Sequence, residues 1–162
     1  MPLDVLIVRD PRESVRKCSL TPLRGHPGIR FHTYREDRIV DAGARVLLHP
    51  EGEEFGANDL HAPLLLVDCS WRRVPTLLRT VRGDLRPRRL PPLETAYPRR
   101  SKTFDDPDTG LASIEALYAA LALTGSCTPS LLEHYVHAAR FLALNPHLPR
   151  PGQASQGNSV HG

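Results

Sequence analysis

The sequence predicts an α/β domain built on one mainly parallel sheet flanked by helices. Three observations predict it. Short, continuous apolar runs end at turn residues, as buried parallel strands do. These runs come first in the chain and the Ala- and Leu-rich helical stretches come after them. Proline makes up 16 of 162 residues, about twice the usual ~5%, which excludes a fold of long helices because each interior Pro costs roughly 3 kcal/mol.

Taken in order, Val5-Leu6-Ile7-Val8 is a buried strand that ends at Arg9-Asp10-Pro11. Arg16 to Pro22 is polar and basic and reads as loop or one helical turn. Ile29 to Tyr34 alternates apolar and polar side chains, the pattern of a half-exposed strand. Val46-Leu47-Leu48 is a second buried strand, stopped abruptly by His49-Pro50, and Leu64-Leu65-Leu66-Val67 is a third, running into Asp68-Cys69-Ser70-Trp71. Val74, Leu77, Leu78 and Val81 recur at helical spacing, with Pro75 in the tolerant first turn. Pro87 to Pro98 is too rich in proline for regular structure apart from a strand around Arg89-Leu90, and Asp105 to Gly110 is a turn-forming loop. Ala112 to Thr124 is the strongest helix, stopped by Gly125. A second helix is predicted over Ser130 to about Leu144, with Thr128 as N-cap, Pro129 at its first position and Pro146 at its end. Residues 149–162 have nothing to bury and read as a disordered tail.

Size and composition bound the class. A chain of 162 residues is one domain, or one domain with a tail. No apolar run approaches the ~18–20 residues that span a bilayer, and Met1-Pro2-Leu3-Asp4 lacks the layout of a signal peptide. Cys18, Cys69 and Cys127 are odd in number and far apart, so no disulfide framework is expected. There is no CxxC and no His pair at ligand spacing, so no metal site is expected either. The chain reads as a soluble, cytoplasmic protein.

Charge is segregated. Arg72 to Lys102 holds ten basic residues against Asp84 and Glu94, a net +8 in a chain of +3, while Glu51 to Asp68 has five acids and no Lys or Arg. Nineteen of the 21 cationic side chains are Arg, whose planar fork suits phosphate. An anionic partner such as RNA, held through counterion release, is one reading; a solvated charged surface is the other.

Three constellations carry chemistry. Asp68-Cys69-Ser70-Trp71 follows the best strand, at the end where open α/β sheets bind ligands. There Asp68 can orient a substrate or take a proton, and Trp71 can stack on a base or shield a cation; the plain alternative is a capping Asp and a core Trp. Lys17-Cys18-Ser19 places a hydroxyl in a basic loop, or is simply a polar loop. The opening of the Ala-rich helix at Ser113 presents backbone N–H groups to an anion, with Glu115 either receiving a proton or favouring the helix dipole. Cys18 and Cys69 have no His placed in sequence to activate them. No GxGxxG and no Walker loop is present.

Asp10-Pro11 with Lys17-Cys18-Ser19, Val46-Leu47-Leu48-His49-Pro50, Val67-Asp68-Cys69-Ser70-Trp71, Arg89-Leu90-Pro91-Pro92-Leu93 and Leu111-Ala112-Ser113-Ile114-Glu115-Ala116 follow one another from Asp10 to about Asn145. In this order they resemble the aminocarboxypropyltransferases that modify small-subunit ribosomal RNA in archaea and eukaryotes, as a bacterial-looking branch. The Asp-Cys-Ser-Trp stretch is the most specific match; the helix opening resembles the family's Leu-Ser-x-x-Glu-Ala with Ser displaced by one. Between Leu93 and Leu111 the chain departs from the family's Ala-Asn-Pro-Val-Asn-Tyr-Gly. It reads Thr95-Ala96-Tyr97-Pro98-Arg99-Arg100-Ser101-Lys102 instead, which looks partway toward the DTW-domain enzymes that modify tRNA uridine.

The resemblance implies a SPOUT-like fold with a C-terminal trefoil knot, divided into an N-terminal part of about 1–63 and a knotted part of about 64–148. It implies S-adenosylmethionine as donor of a 3-amino-3-carboxypropyl group to a uridine-type base in rRNA or tRNA, free or in a pre-ribosomal particle, by a monomeric enzyme of ribosome biogenesis. By position, Ser19, Leu48, Val67, Leu90, Leu111, Ser113 and Ala116 line the cofactor, Trp71 covers it, and Asp68 sits beside the reacting centre. A carboxylate with an ordinary pKa near 4 is a weak base, so Asp68 needs a raised pKa or an orienting role. Lys17, Arg72, Arg99, Arg100 and Lys102 are the expected phosphate contacts. The rival readings are a SPOUT-type RNA methyltransferase, differing only in the carbon transferred, and a non-catalytic RNA- or ribosome-binding module.

Overall fold

The computed structural model describes residues 3–13, 19–97, 111–126 and 129–149. Strand β1 (Val5–Arg9) lies inside the sheet, and all five of its residues are buried. It pairs with β2 (Ile29–Thr33) on one side and β4 (Leu64–Asp68) on the other. Beyond β4 lie β3 (Val40–Glu54) and β5 (Val81–Arg89), giving the order β2-β1-β4-β3-β5 with every neighbouring pair parallel.

The continuous apolar runs are explained by cover on both faces. Val5, Ile7, Val46, Leu64 and Leu66 face one core with α2 (Ser113–Leu123) and α3 (Ala138–Leu144). Leu6, Val8, Leu47 and Leu65 face a smaller core with Leu77 of α1 (Val74–Leu78). Alternate residues of one strand therefore serve opposite cores, which an alternating apolar-polar pattern cannot do. None of the helices among the described residues is long and apolar enough to cross a membrane.

Four expectations are corrected. The strand expected to stop at His49-Pro50 continues to Glu54. Pro50 does interrupt the ladder, since it has no N–H to donate. Leu48 and Glu53 both oppose Arg88, so residues 49–52 bulge out before pairing resumes. Gly52 closes the bulge where a Cβ would stand 2.5 Å from the Arg88 nitrogen.

Second, the helix expected to reach Val81 ends at Leu78, and Val81–Arg89 forms the strand β5, while residues 90–97 are irregular as expected. Pro87 is accommodated because β5 is an edge strand. Third, its arginines are neutralised by the acidic stretch beside them. Arg88 meets Asp59 at 2.9 Å and Glu53 at 3.7 Å, Arg86 meets Asp59 at 3.7 Å, and Arg89 meets Glu54 at 3.3 Å. The charge blocks are separate in sequence and adjacent in space, so these three arginines do not count toward an anionic partner.

Fourth, the helix expected over Ser130 to Leu144 is broken. A 3₁₀ turn at Pro129–Leu132 is followed by turns, and α3 begins only at Ala138. The intervening His134, Tyr135, Val136 and His137 are weak helix formers, and the break delivers the Tyr135 hydroxyl to Glu115 at 2.9 Å. The expected stop before Pro146 is found. Lys17, Cys18, Arg99, Arg100, Lys102, Cys127, Thr128, the loop 105–110 and the tail 150–162 lie outside the described residues.

Candidate active site

Chain connections run from β1 toward β2 and from β4 toward the opposite edge, so the sheet's switch point lies between β1 and β4. Ligands in open α/β sheets bind at the carboxyl ends of strands at such a point. Here those ends carry charge. Arg9 and Asp68 are register partners, and Arg9 Nε donates to Asp68 Oδ2 at 3.2 Å with both side chains buried. Phe31 of β2 lies under the guanidinium at 4.7 Å. Next to this pair, Asp10 is buried and accepts from Arg73 Nε at 2.6 Å and from the Arg12 main-chain N–H at 3.0 Å. Arg73 in turn sits 5.7 Å from the Tyr34 ring. The Asp10 carboxylate, by hydrogen bond and charge, holds Arg73 above the ordinary guanidinium range.

The N-cap of the Trp71–Arg73 turn after β4 is Ser70, whose side chain makes no capping bond, and two residues before it stands Asp68. Its second oxygen, Oδ1, accepts from Ser113 Oγ at 3.4 Å, which ties β4 to the first turn of α2. Flanked by Arg9, the carboxylate is built to orient rather than to swing free. Cys69 is set apart from nucleophilic chemistry: burial first, and then the nearby Asp10, Glu13 and Asp68 charges, push its thiol up to about 12.

The first turn of α2 is fixed by two side chains. Ser19 Oγ accepts from the Ile114 N–H at 3.0 Å, so one of the donors expected to meet an anion is already engaged, while the Ser19 hydroxyl keeps its own proton to donate. Glu115 is wholly buried and accepts four hydrogen bonds: from Thr95 Oγ1 at 2.6 Å, and at 2.9 Å from the Ala96 and Ala112 N–H groups and the Tyr135 hydroxyl. Burial first, and this bond second, push the Tyr135 phenol well above its ordinary range. Asn145 secures the same segment from the other side. It accepts from Glu94 N at 2.9 Å and donates to Glu94 O at 2.8 Å. Residues 94–96, between β5 and α2, are thereby held to the core.

The residues expected to line a cofactor share one property. Ser19, Leu48, Val67, Trp71, Leu90, Leu111, Ser113 and Ala116 are all half-buried, while Val46, Leu47, Leu66, Ile114 and Leu117 beside them are buried. Leu48, Leu90 and Leu111 pack against the larger core. Val67 does not join them by side chain; it packs against the smaller core, so only its main chain belongs to the face that carries Asp68. Trp71 belongs to neither core. Its ring lies 5.6 Å from His49, which the bulge in β3 brings forward. Arg72 is exposed in the turn that points Arg73 inward.

Sequence reasoning missed Arg9, Asp10 and Arg73 as site residues, and Thr95, Tyr135 and Asn145 as supports. Asp10 had a signal, since it follows a buried strand directly; the supports had none without the fold.

No family model matches the chain, and no curated protein matches it. Among solved structures, it is similar to the SAM-dependent rRNA acp-transferase Tsr3 from Vulcanisaeta distributa. The TM-score is 0.68 at 25% identity, covering 91% of this chain and 80% of that one.

Proposed function

We propose that this protein is an RNA aminocarboxypropyltransferase that uses S-adenosylmethionine as donor and modifies a uridine-type base in rRNA or tRNA. The observation that carries the reading is the likeness over 91% of the chain to a SAM-dependent rRNA acp-transferase. It is supported by the Asp68-Cys69-Ser70-Trp71 stretch at the switch point of the sheet.

The residues fit a sulfonium nucleoside. Leu48, Leu90, Leu111 and Ala116 are apolar and left half-exposed, Trp71 is an aromatic free of both cores, and Ser19 retains a proton to donate. A half-exposed aromatic suits a sulfonium cation, whose charge its face attracts. When bound, the donor supplies three electrophilic carbons on sulfur, and the carbon facing the acceptor decides the product. The chain's own work is positioning, worth several kcal/mol when reacting groups are held in near-attack geometry. Asp68, fixed by Arg9 and Ser113, orients the acceptor base and accepts a hydrogen bond from its N3–H. Arg72, with Lys17, Arg99, Arg100 and Lys102, holds RNA phosphates. The finer reading is a SPOUT-type fold related to the DTW enzymes, its part from about residue 64 to 148 knotted, acting as a cytoplasmic monomer on rRNA or a pre-ribosomal particle.

The test is a two-label transfer assay on RNA from cells lacking this protein. One donor sample carries label in the methyl group, the other in the carboxypropyl carbons. Label from the second sample alone is expected. Label from the methyl sample alone makes the protein a methyltransferase, and label from neither makes it a binding module.

A further inference from the structure

On the side of α2 that carries Glu115 lies a cluster of rings that the transfer chemistry does not use. Tyr97 is 43% exposed, and its ring meets His137 edge-on at 6.0 Å. Tyr135 meets the same imidazole at 5.5 Å, also edge-on. Val136 between them is 87% exposed. An exposed tyrosine on a loop is ordinarily free to rotate and carries no message. This one is fixed. Its N–H donates to Thr95 Oγ1 at 3.0 Å, Thr95 and Ala96 both donate to Glu115, and Tyr135 donates to the same carboxylate. One buried anion therefore sets both chain segments that carry the rings.

We infer that Tyr97, backed by His137 and Tyr135, is a stacking platform for an unpaired base of the RNA acceptor. The inference rests on the proposed reading that RNA is the substrate, and deepens it by naming a base-binding surface. Rigid aromatic faces bind any nucleobase, because every base has a π face. The sequence around the rings, residues 94–102 and 133–140, holds four cationic residues against Glu94 and Glu133, a balance that suits a polyanion. His134 and Arg140 are exposed on either side of His137, and Arg99, Arg100 and Lys102 follow Tyr97 within five residues of sequence. The platform and the candidate active site share a support. Ser113, which touches Asp68, and Glu115, which holds the platform, are two residues apart at the start of α2, about 3 Å along its axis. The two side chains leave the helix about 200° apart, so the platform takes a base other than the one presented at Asp68.

The experiment measures binding of a labelled single-stranded oligouridylate to the full chain, together with S-adenosylmethionine affinity. Tyr97→Ala is expected to weaken oligonucleotide binding on the order of tenfold, while Tyr97→Phe and Tyr97→Trp retain it and donor affinity stays constant. With an abasic oligonucleotide the difference between wild type and Y97A should vanish. Equal oligouridylate binding by wild type and Y97A overturns the platform and leaves the transferase reading standing. The same loss on the abasic probe overturns it too, because the effect is then not stacking. Absence of RNA binding in the wild type, with binding of a proline-rich peptide lost in Y97A, overturns both the platform and the RNA reading.

Discussion

Replacing Glu115 by Gln tests the central claim about how the 94–97 segment is held. The substitution is nearly isosteric, so it opens no cavity. The carboxylate accepts four hydrogen bonds, two on each oxygen: Thr95 and Ala112 on Oε1, Ala96 and Tyr135 on Oε2. A carboxamide has one acceptor oxygen and one NH₂ group. Whichever way it turns, the NH₂ faces two donors and two hydrogen bonds are lost. Hydrogen bonds to a charged group contribute roughly 1.5–3 kcal/mol each, and a buried unsatisfied donor costs about 1–3 kcal/mol. Hydroxyls of Thr95 or Tyr135 can rotate to relieve one conflict, so a loss of about 3 kcal/mol is expected rather than the full sum. That is a large part of a total stability of roughly 5–15 kcal/mol. Tyr135→Phe removes one bond only and should cost about 1.5 kcal/mol. Urea denaturation at constant m-value measures both. A Glu115→Gln variant within about 1 kcal/mol of wild type would refute the four-donor account, because a carboxamide cannot accept from all four donors.

Three further outcomes are expected. Asp68→Asn should lower turnover roughly tenfold or more with little change in donor affinity, whereas Trp71→Ala should weaken donor binding on the order of tenfold; isothermal titration and single-turnover kinetics separate the two, and the reverse pattern would exchange their roles. Acid should destabilise the fold partly through Asp59. Burial alone would raise its pKa, but the Gly56 N–H, Arg88 and Arg86 outweigh burial and lower it. Its contribution is thus fully present above the unfolded value near 4 and lost as pH falls through the lower folded value. Asp59→Asn should therefore flatten the acid limb of the stability curve, and an unchanged limb would show that Asp59 is not linked to it. Gly83 opposes Gly43 across β3 and β5 with φ +147°, and a Cβ there would stand 2.2 Å from the Gly43 carbonyl oxygen; Gly83→Ala should cost about 3 kcal/mol, readable as a lowered Tm.

What was legible in the sequence is what local pattern dictates. Val5–Val8, Leu64–Val67 and the Ala-rich helix from Ser113 each satisfy their own environment through composition, and each was placed correctly. β5 was not, because four arginines and a proline do not resemble a strand until Asp59, Glu53 and Glu54 stand beside them. The broken helix before α3 failed for a similar reason: Tyr135 turns toward a carboxylate twenty residues away. At the site, Asp68 and Trp71 stood out by residue type after a buried run. The partner of Asp68 did not, since Arg9 becomes its neighbour only through the pairing of β1 with β4, 59 residues later. Sequence exposes groups that do chemistry more readily than groups that hold them.

The interior position of β1 also sets an order in time. Synthesis delivers Val5–Arg9 first, yet one flank of that strand stays uncovered until Leu64–Asp68 has been made. Parallel pairing across such separations must close long loops before contacts reward it, so folding should occupy roughly milliseconds to seconds rather than microseconds. During that interval a nascent chain carries a bare Val-Leu-Ile-Val edge, the kind of segment that other chains capture. The strand that anchors the finished sheet is therefore the one most exposed to misassembly while the protein is being born.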